Sequence, residues 1–196
     1  ILLYTTDYEP TTIFWEHQQF NERYAIPLAT SMQPHLDTRM RQRQLKIGYL
    51  YGDFRRHSVA YFMEPILAHH DPRQVAIFCY SNHTRFDDVT QRLQSYGNQW
   101  RNCVGLSDDI LADTIRQDQI DILVELSGHT GGNRQLVLAR KPAPIQVTYL
   151  GYPYTTGLTA IDYRLTDEYV DTPGVNEQFN SETPVKLPSS FFCYRP

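Results

Sequence analysis

The spacing of apolar and polar positions changes character once along this chain. Before residue 45 the pattern is helical and then polar. Pro10-Thr-Thr12 leads into Ile13-Phe-Trp-Glu-His-Gln-Gln-Phe-Asn-Glu-Arg-Tyr24, where Phe20 and Tyr24 share a face. That spacing predicts a helix with Thr11 or Thr12 as N-cap and Pro27 as its stop. Residues 31–44 are polar, hold Pro34 and the cluster Arg39-Met-Arg-Gln-Arg43, and read as a solvated connector. From Leu45 onward, short apolar runs alternate with amphipathic ones. Strands are predicted at 45–51, 75–80, 99–104, 120–126, 144–150 and 161–165, with a last short one around Val185–Leu187. Helices are predicted at 58–69 with a bend at Pro65, at 86–96, at 107–116 with Ser107 as cap, and at 133–139. Strands rich in Val, Ile and Leu that alternate with helices predict an α/β fold. The expected form is a Rossmann-like, mostly parallel sheet with helices on both faces, at 45–196, preceded by a helical linker segment at 1–44.

Composition narrows the class without naming a chemistry. The 196 residues are 41% apolar and 20% charged, enough for a sizeable core. A net charge of −4 gives no electrostatic case for nucleic acid or an acidic membrane surface. Cys79, Cys103 and Cys193 are odd in number and lack Cys-x-x-Cys spacing. They read as reduced thiols of a cytoplasmic protein, not as a disulfide frame or a zinc site. No apolar run is long enough to span a membrane, and Ile1-Leu-Leu-Tyr4 is too short for a leader. The chain opens without Met and stops at Cys193-Tyr-Arg-Pro196, and it is read as a piece of something longer.

Open α/β sheets bind ligands beyond the carboxyl ends of their strands. Three predicted loops there are polar and contain glycine: Gly52-Asp-Phe-Arg-Arg-His57, Ser127-Gly-His-Thr-Gly-Gly132 and Gly151-Tyr-Pro-Tyr-Thr-Thr-Gly157. They are expected to share one crevice. None is Gly-x-Gly-x-x-Gly or a Walker loop, and no Asp-x-Asp is present, which disfavours dinucleotide, ATP and metal-held nucleotide sugar. His57 sits just before a helix, whose N-terminus favours the neutral imidazole able to accept a proton. Asp53, in the same loop, either orients it or is itself the base. On spacing alone, a helix-capping histidine beside a solvated aspartate is the plainer reading. His129 is open to the same two readings, while His69 and His70 at a helix end read as structural. Tyr149, Tyr152 and Tyr154 either stack on a sugar ring or pack against the sheet edge.

The ordered set of motifs is more specific than any single one. Lys46-Ile-Gly-Tyr49, Asp53-Phe-Arg-Arg-His-Ser-Val-Ala-Tyr-Phe62 and Ile120-Asp-Ile-Leu-Val-Glu-Leu-Ser-Gly-His-Thr130 come first. Pro142-Ala-Pro-Ile-Gln-Val147, Leu150-Gly-Tyr-Pro153, Thr155-Thr-Gly157, Asp162-Tyr-Arg-Leu-Thr-Asp167 and Leu187-Pro-Ser-Ser-Phe-Phe-Cys-Tyr194 follow in order. Over roughly residues 45–195 this resembles the protein O-GlcNAc transferase and SPINDLY family. The resemblance implies the first lobe of a two-lobed, GT-B type glycosyltransferase. It also implies metal-independent, inverting transfer of GlcNAc from UDP-GlcNAc to Ser or Thr of protein acceptors, with no cofactor. His57 and Asp53 take the family's disputed general-base positions. Gly128, His129 and Thr130 fall near acceptor or sugar, and Leu150, Gly151, Tyr152 and Pro153 would line the sugar pocket. Animal members carry Tyr where this chain has His129. The partners implied are a second catalytic lobe, which holds the nucleotide, and upstream tetratricopeptide repeats. Without that lobe the chain is expected to be inactive alone. Two other readings stay open: a protein O-fucosyltransferase using GDP-fucose, and a non-catalytic Rossmann-like binding module.

Overall fold

The structure, a computed structural model, describes residues 7–35, 43–172, 174 and 177–195. Ile1–Tyr4 and most of the arginine cluster, Arg39 to Arg41, lie outside the described residues. The first helix, α1 (Pro10–Phe20), starts earlier than its threonines suggest: Glu9 is the N-cap and Pro10 opens the helix. A proline at that position loses no hydrogen bond and has its φ already set, so it displaces the weaker threonine signal. Pro27 does not end the helical path. The chain runs on through a π-helical turn (Asn21–Ala25) and a 3₁₀ turn (Ile26–Ser31), with Pro27 again in a first turn.

After that come β1 (Leu45–Tyr51), α2 (Ser58–His69), β2 (Val75–Ser81), α3 (Asp88–Gln94), β3 (Gln99–Asn102) and α4 (Asp108–Gln117). The second half contributes β4 (Ile122–Glu125), α5 (Gln135–Leu138), β5 (Ile145–Thr148), β6 (Tyr163–Asp167) and β7 (Thr183–Leu187). Among the described residues these strands form one parallel sheet in the order β3-β2-β1-β4-β5-β6-β7. Successive side chains alternate between faces. Leu50, Phe78, Tyr80 and Leu123 meet Leu111, Ile115 and Leu138 of α4 and α5 on one side. Tyr49, Ile77, Cys79 and Val124 meet Val59, Met63, Leu67 and Leu93 of α2 and α3 on the other. Ala25, Phe20 and Leu28 of the N-terminal segment join the first of these cores.

Local chemistry explains the helix ends. Asp87 and Thr90 make a reciprocal capping box at α3, and Ser107 accepts from the Ile110 amide at α4. Pro65 has no N–H to give the Tyr61 carbonyl four residues back. That carbonyl accepts instead from the Arg195 amide at 3.1 Å, which ties the C-terminal segment onto α2. No helix among the described residues is long and apolar enough to cross a membrane.

Candidate functional site

The winding direction reverses between β1 and β4, the central neighbours in the sheet. A crevice opens there because the loops leaving the two strands depart to opposite sides. It is an open cleft of about 380 Å³, bordered by Tyr51, Asp53, His57, Thr130, Leu150 and Gly151. Phe62 of α2 and Phe192 of the C-terminal segment add an aromatic wall, with ring centroids 5.1 Å apart.

The loop after β1 is anchored by Phe54, which is buried between Tyr51 and Trp100. His57 is the N-cap of α2: its Nδ1 accepts from the Val59 amide at 3.3 Å. The same Nδ1 lies 2.8 Å from Tyr51 Oη. No described group engages Nε2, and His57 borders the cleft. Burial, reinforced by the nearby Asp53 charge, holds the Tyr51 phenol well above its ordinary value, so it stays protonated. The Val59 amide and the Tyr51 hydroxyl both suit a lone pair on Nδ1, so the capping tautomer carries its proton on Nε2; a shift to Nδ1–H keeps Tyr51 as acceptor and gives up the cap. Asp53 does not orient the imidazole. Its carboxylate pairs with Arg55 at 2.6 Å instead. Arg56 points away from the cleft to Asp88, 2.9 Å away on α3.

The loop after β4 is built on Glu125, buried at the strand's end. Oε2 accepts from the Ser127 and Gly128 amides at 3.0 and 2.8 Å and from Gln135 Nε2 at 3.1 Å. Oε1 accepts from the Thr148 hydroxyl on β5. Gly128 follows at φ 52°, and Thr130 closes the turn by donating its hydroxyl to the Ser127 carbonyl at 2.7 Å. Burial outweighs the four donors and lifts the Glu125 carboxyl above its ordinary value. The folded state thus favours the proton. This contribution to stability is complete below the ordinary 4.5 and is lost as pH rises through the folded value.

Glu125→Gln keeps the shape and the acceptor for the two amides, and its Nε2 can donate to the Thr148 hydroxyl. It is expected within ~1 kcal/mol of the parent at pH 7, with a flatter dependence on pH. Glu125→Ala leaves two buried amides unpaired and opens a cavity, for a loss of ~2–5 kcal/mol. Urea unfolding at pH 5 and pH 7 checks both. Equal losses in the two variants would mean that charge, not acceptor geometry, holds this loop.

The loop after β5 turns sharply. The Gly151 amide donates to the Tyr149 carbonyl at 2.9 Å around Leu150, whose φ is 71°. That is the form of a γ-turn, a strained conformation for a branched residue. Farther on, buried Glu182 accepts from the Thr155 hydroxyl and from the amide and hydroxyl of Thr156.

The predicted site residues therefore do not all share one crevice. Asp53, His57, Thr130, Leu150 and Gly151 meet in the cleft. His129 and Tyr152 line a neighbouring groove of about 510 Å³ with Trp15, His17, Phe20 and Tyr24 of the N-terminal segment. Gly128 lies directly behind Tyr152, and Pro153 is exposed and borders neither cavity. The reason is geometric: each loop turns within its motif, at Gly128 (φ 52°) and at Leu150 (φ 71°), so residues on the two sides of the turn face different cavities. Residue patterns missed Tyr51, because a tyrosine at a strand's end reads as core. They also missed Glu125, although an acid inside Ile120-Asp-Ile-Leu-Val-Glu-Leu126 was a visible sign of a buried polar network.

Comparison with known proteins places this geometry. The model of glycosyl transferase family 41 matches residues 22–194. The chain belongs to glycosyl transferase family 41. It is 41% identical over 184 residues to a barley (Hordeum vulgare) protein named as a probable UDP-N-acetylglucosamine–peptide N-acetylglucosaminyltransferase, SPINDLY. That match covers 92% of this chain and 19% of the relative. An Arabidopsis thaliana protein of the same probable activity, SEC, is 39% identical over 151 residues, 76% of this chain and 15% of its own length. Among solved structures, a Thermobaculum terrenum O-GlcNAc transferase mutant superposes with a TM-score of 0.93 at 38% identity. That superposition covers 98% of this chain and 37% of the other. The Rossmann-like α/β fold expected from the sequence is thus the fold of this family. The chain spans about a fifth of the length of the curated relatives it matches.

Proposed function

We propose that this chain is the N-terminal catalytic lobe of a protein O-linked glycosyltransferase that moves GlcNAc from UDP-GlcNAc to Ser or Thr hydroxyls. The observation that carries this reading is the cleft at the sheet's switch point. It gathers His57, Asp53, Thr130, Leu150 and Gly151 in a family 41 chain. The acceptor oxygen attacks the anomeric carbon on the face opposite the diphosphate. The carbon–oxygen bond to the diphosphate breaks, the configuration inverts, and UDP leaves. The acceptor's proton passes to the Asp53 carboxylate, or to His57 Nε2 in the tautomer whose Nδ1–H donates to Tyr51 Oη in place of the Val59 cap. Arg55 and Arg56 are each paired with an aspartate, so the diphosphate charge is left to a second lobe, with no metal and no cofactor in this reading. Upstream repeats would bring the protein acceptors. Cys79 and Cys103 are buried free thiols, which suits the reducing cytoplasm where we place the enzyme.

The names borne by the relatives favour UDP-GlcNAc as donor, and GDP-fucose is the second reading. The test is incubation of the full-length protein and an acceptor protein with each donor, followed by mass spectrometry. A 203 Da HexNAc adduct is expected, a deoxyhexose adduct would move the reading to fucose, and no adduct with either donor would leave only a binding module.

A further inference from the structure

The N-terminal helix is tied into the loop whose first residues wall the cleft. His17, on α1, is 7% exposed. Its Nδ1–H donates to the Ile13 carbonyl at 2.6 Å, so Nε2 carries the lone pair and accepts from Tyr152 Oη at 2.7 Å. Tyr152 directly follows Gly151, and Gly128 presses on its other side: a Cβ on Gly128 would sit 2.1 Å from Tyr152 Cβ. His129 packs edge-on to both rings, 5.1 Å from His17 and 5.5 Å from Tyr152, and its Nε2–H donates to the Thr156 carbonyl at 2.7 Å. Two further ties run along the same loop. The Thr159 amide donates to the buried Asn21 side chain at 3.2 Å. The α-carbon of Gly157 lies against the His17 carbonyl, where a Cβ would come within 2.4 Å.

We propose that His17 is a positioning residue of the cleft, acting through Tyr152 to fix the Leu150–Gly151 wall from outside it. The hydrogen bond leaves Tyr152 no free rotation, and one peptide unit separates it from Gly151. Displacement of α1 therefore moves the wall. This rests on the reading of the cleft as the transfer site, but the mechanical coupling stands by itself.

The coupling has a sign with pH. Burial lowers the pKa of His17, the Ile13 bond opposes it, and the neighbouring His129 lowers it further. Burial also lowers His129, against the Thr156 bond and the Glu182 charge. The other titratable or charged groups facing the pair, among the described residues, are Tyr152 and Tyr154, Glu16 on α1, and Arg23 and Tyr24 on the π-helical turn at the groove's rim. Glu182, the nearest buried carboxylate, is engaged by Thr155 and Thr156. A histidine held neutral by folding stabilises fully above its ordinary 6.5 and loses that contribution as pH falls below it. The docked state therefore loosens on acidification.

The experiment is hydrogen exchange of the full-length protein at pH 7.5 and 5.5, corrected for intrinsic rates, paired with donor kinetics. In the parent, exchange across 149–158 is expected to rise several-fold at pH 5.5. His17→Phe keeps a ring without the bond or the charge: exchange is raised at both pH values, its response to pH shrinks to the part His129 supplies, and KM for the donor rises about tenfold with little change in kcat. His17→Gln, which can donate to Ile13 and accept from Tyr152, restores protection at pH 7.5 with the same reduced pH response. Should His17→Phe fail to fold, Tyr152→Phe removes the same bond from the loop side and is expected to raise exchange in both 10–25 and 149–158. Parental exchange in His17→Phe or Tyr152→Phe, or a pH response as large without His17 as with it, overturns the proposal. Loss of loop protection in a protein that transfers no sugar would keep the coupling and remove the transferase reading. Robust transfer with an unresponsive loop would do the reverse.

Discussion

His57→Ala in the full-length protein lowers turnover by ~10²–10⁴-fold, the range a general base or oriented proton acceptor contributes. The structure gives this histidine two jobs. Its Nδ1 caps α2 through the Val59 amide in one tautomer, and in the other Nε2, which no described residue engages, is free to take a proton at the cleft that His57 borders. Alanine removes both, and loss of the cap alone costs ~0.5–2 kcal/mol. Asparagine separates them. It is among the best N-cap residues, so His57→Asn retains most of the stability while losing the imidazole. The expected pattern is equal turnover losses in the two variants with a lowered unfolding midpoint only in alanine. Tyr51→Phe leaves the ring in place but removes its 2.8 Å partner, and a smaller loss, about tenfold, is expected. Near-parental kcat in His57→Asn would reduce His57 to a helix cap and move the base to Asp53.

Half of this site was readable from residue order, and the division has a physical cause. β1 and α2 fall at their predicted bounds, 45–51 and 58–69, because one is a run of apolar residues ended by Gly52 and the other follows a capping side chain. Motifs at the carboxyl ends of β1, β4 and β5 had to converge once those strands were adjacent and parallel, so His57, Thr130 and Gly151 meet. Strand lengths were overread: 120–126 shrinks to Ile122–Glu125, the residues paired with β1, although single bonds from the Asp121 and Leu126 amides to β1 carbonyls flank it. His129 and Tyr152 went astray for a different reason. Their partners are His17 and Phe20, more than a hundred residues earlier, on a helix whose apolar pattern read as a linker. Local periodicity carries no information about which distant surface a loop side chain turns toward. The same blindness hid Glu125, whose four donors come from three different segments.

Gly151→Ala should unfold the wall of the cleft, whereas Gly131→Ala, on the opposite wall, should be silent. A Cβ on Gly151 would stand 1.8 Å from the Leu126 carbonyl oxygen and 2.9 Å from its carbon. Ordinary contact begins more than an ångström farther out, so backbone must move, and neither side is free to. Leu126 is held by its amide bond to the Leu50 carbonyl at 3.1 Å, in continuation of the β1–β4 ladder. Gly151 is held by its own bond to Tyr149 and by the Tyr152–His17 anchor one residue on. Leu150, at φ 71°, already sits where branched side chains are strained and has little room left to absorb the shift. A loss of ~3 kcal/mol or more is expected, as for other overpacked buried sites. In a chain of this size that lowers the melting midpoint by roughly 6–12 °C. Around Gly131 a Cβ meets nothing within 4 Å, and its φ lies outside the left-handed region, so the change should stay within ~0.5 kcal/mol. Thermal unfolding of the two variants side by side decides it. A midpoint for Gly151→Ala within a degree or two of Gly131→Ala would mean that the β4 and β5 loops are not in contact, and the cleft would lose the wall that Leu150 and Gly151 give it.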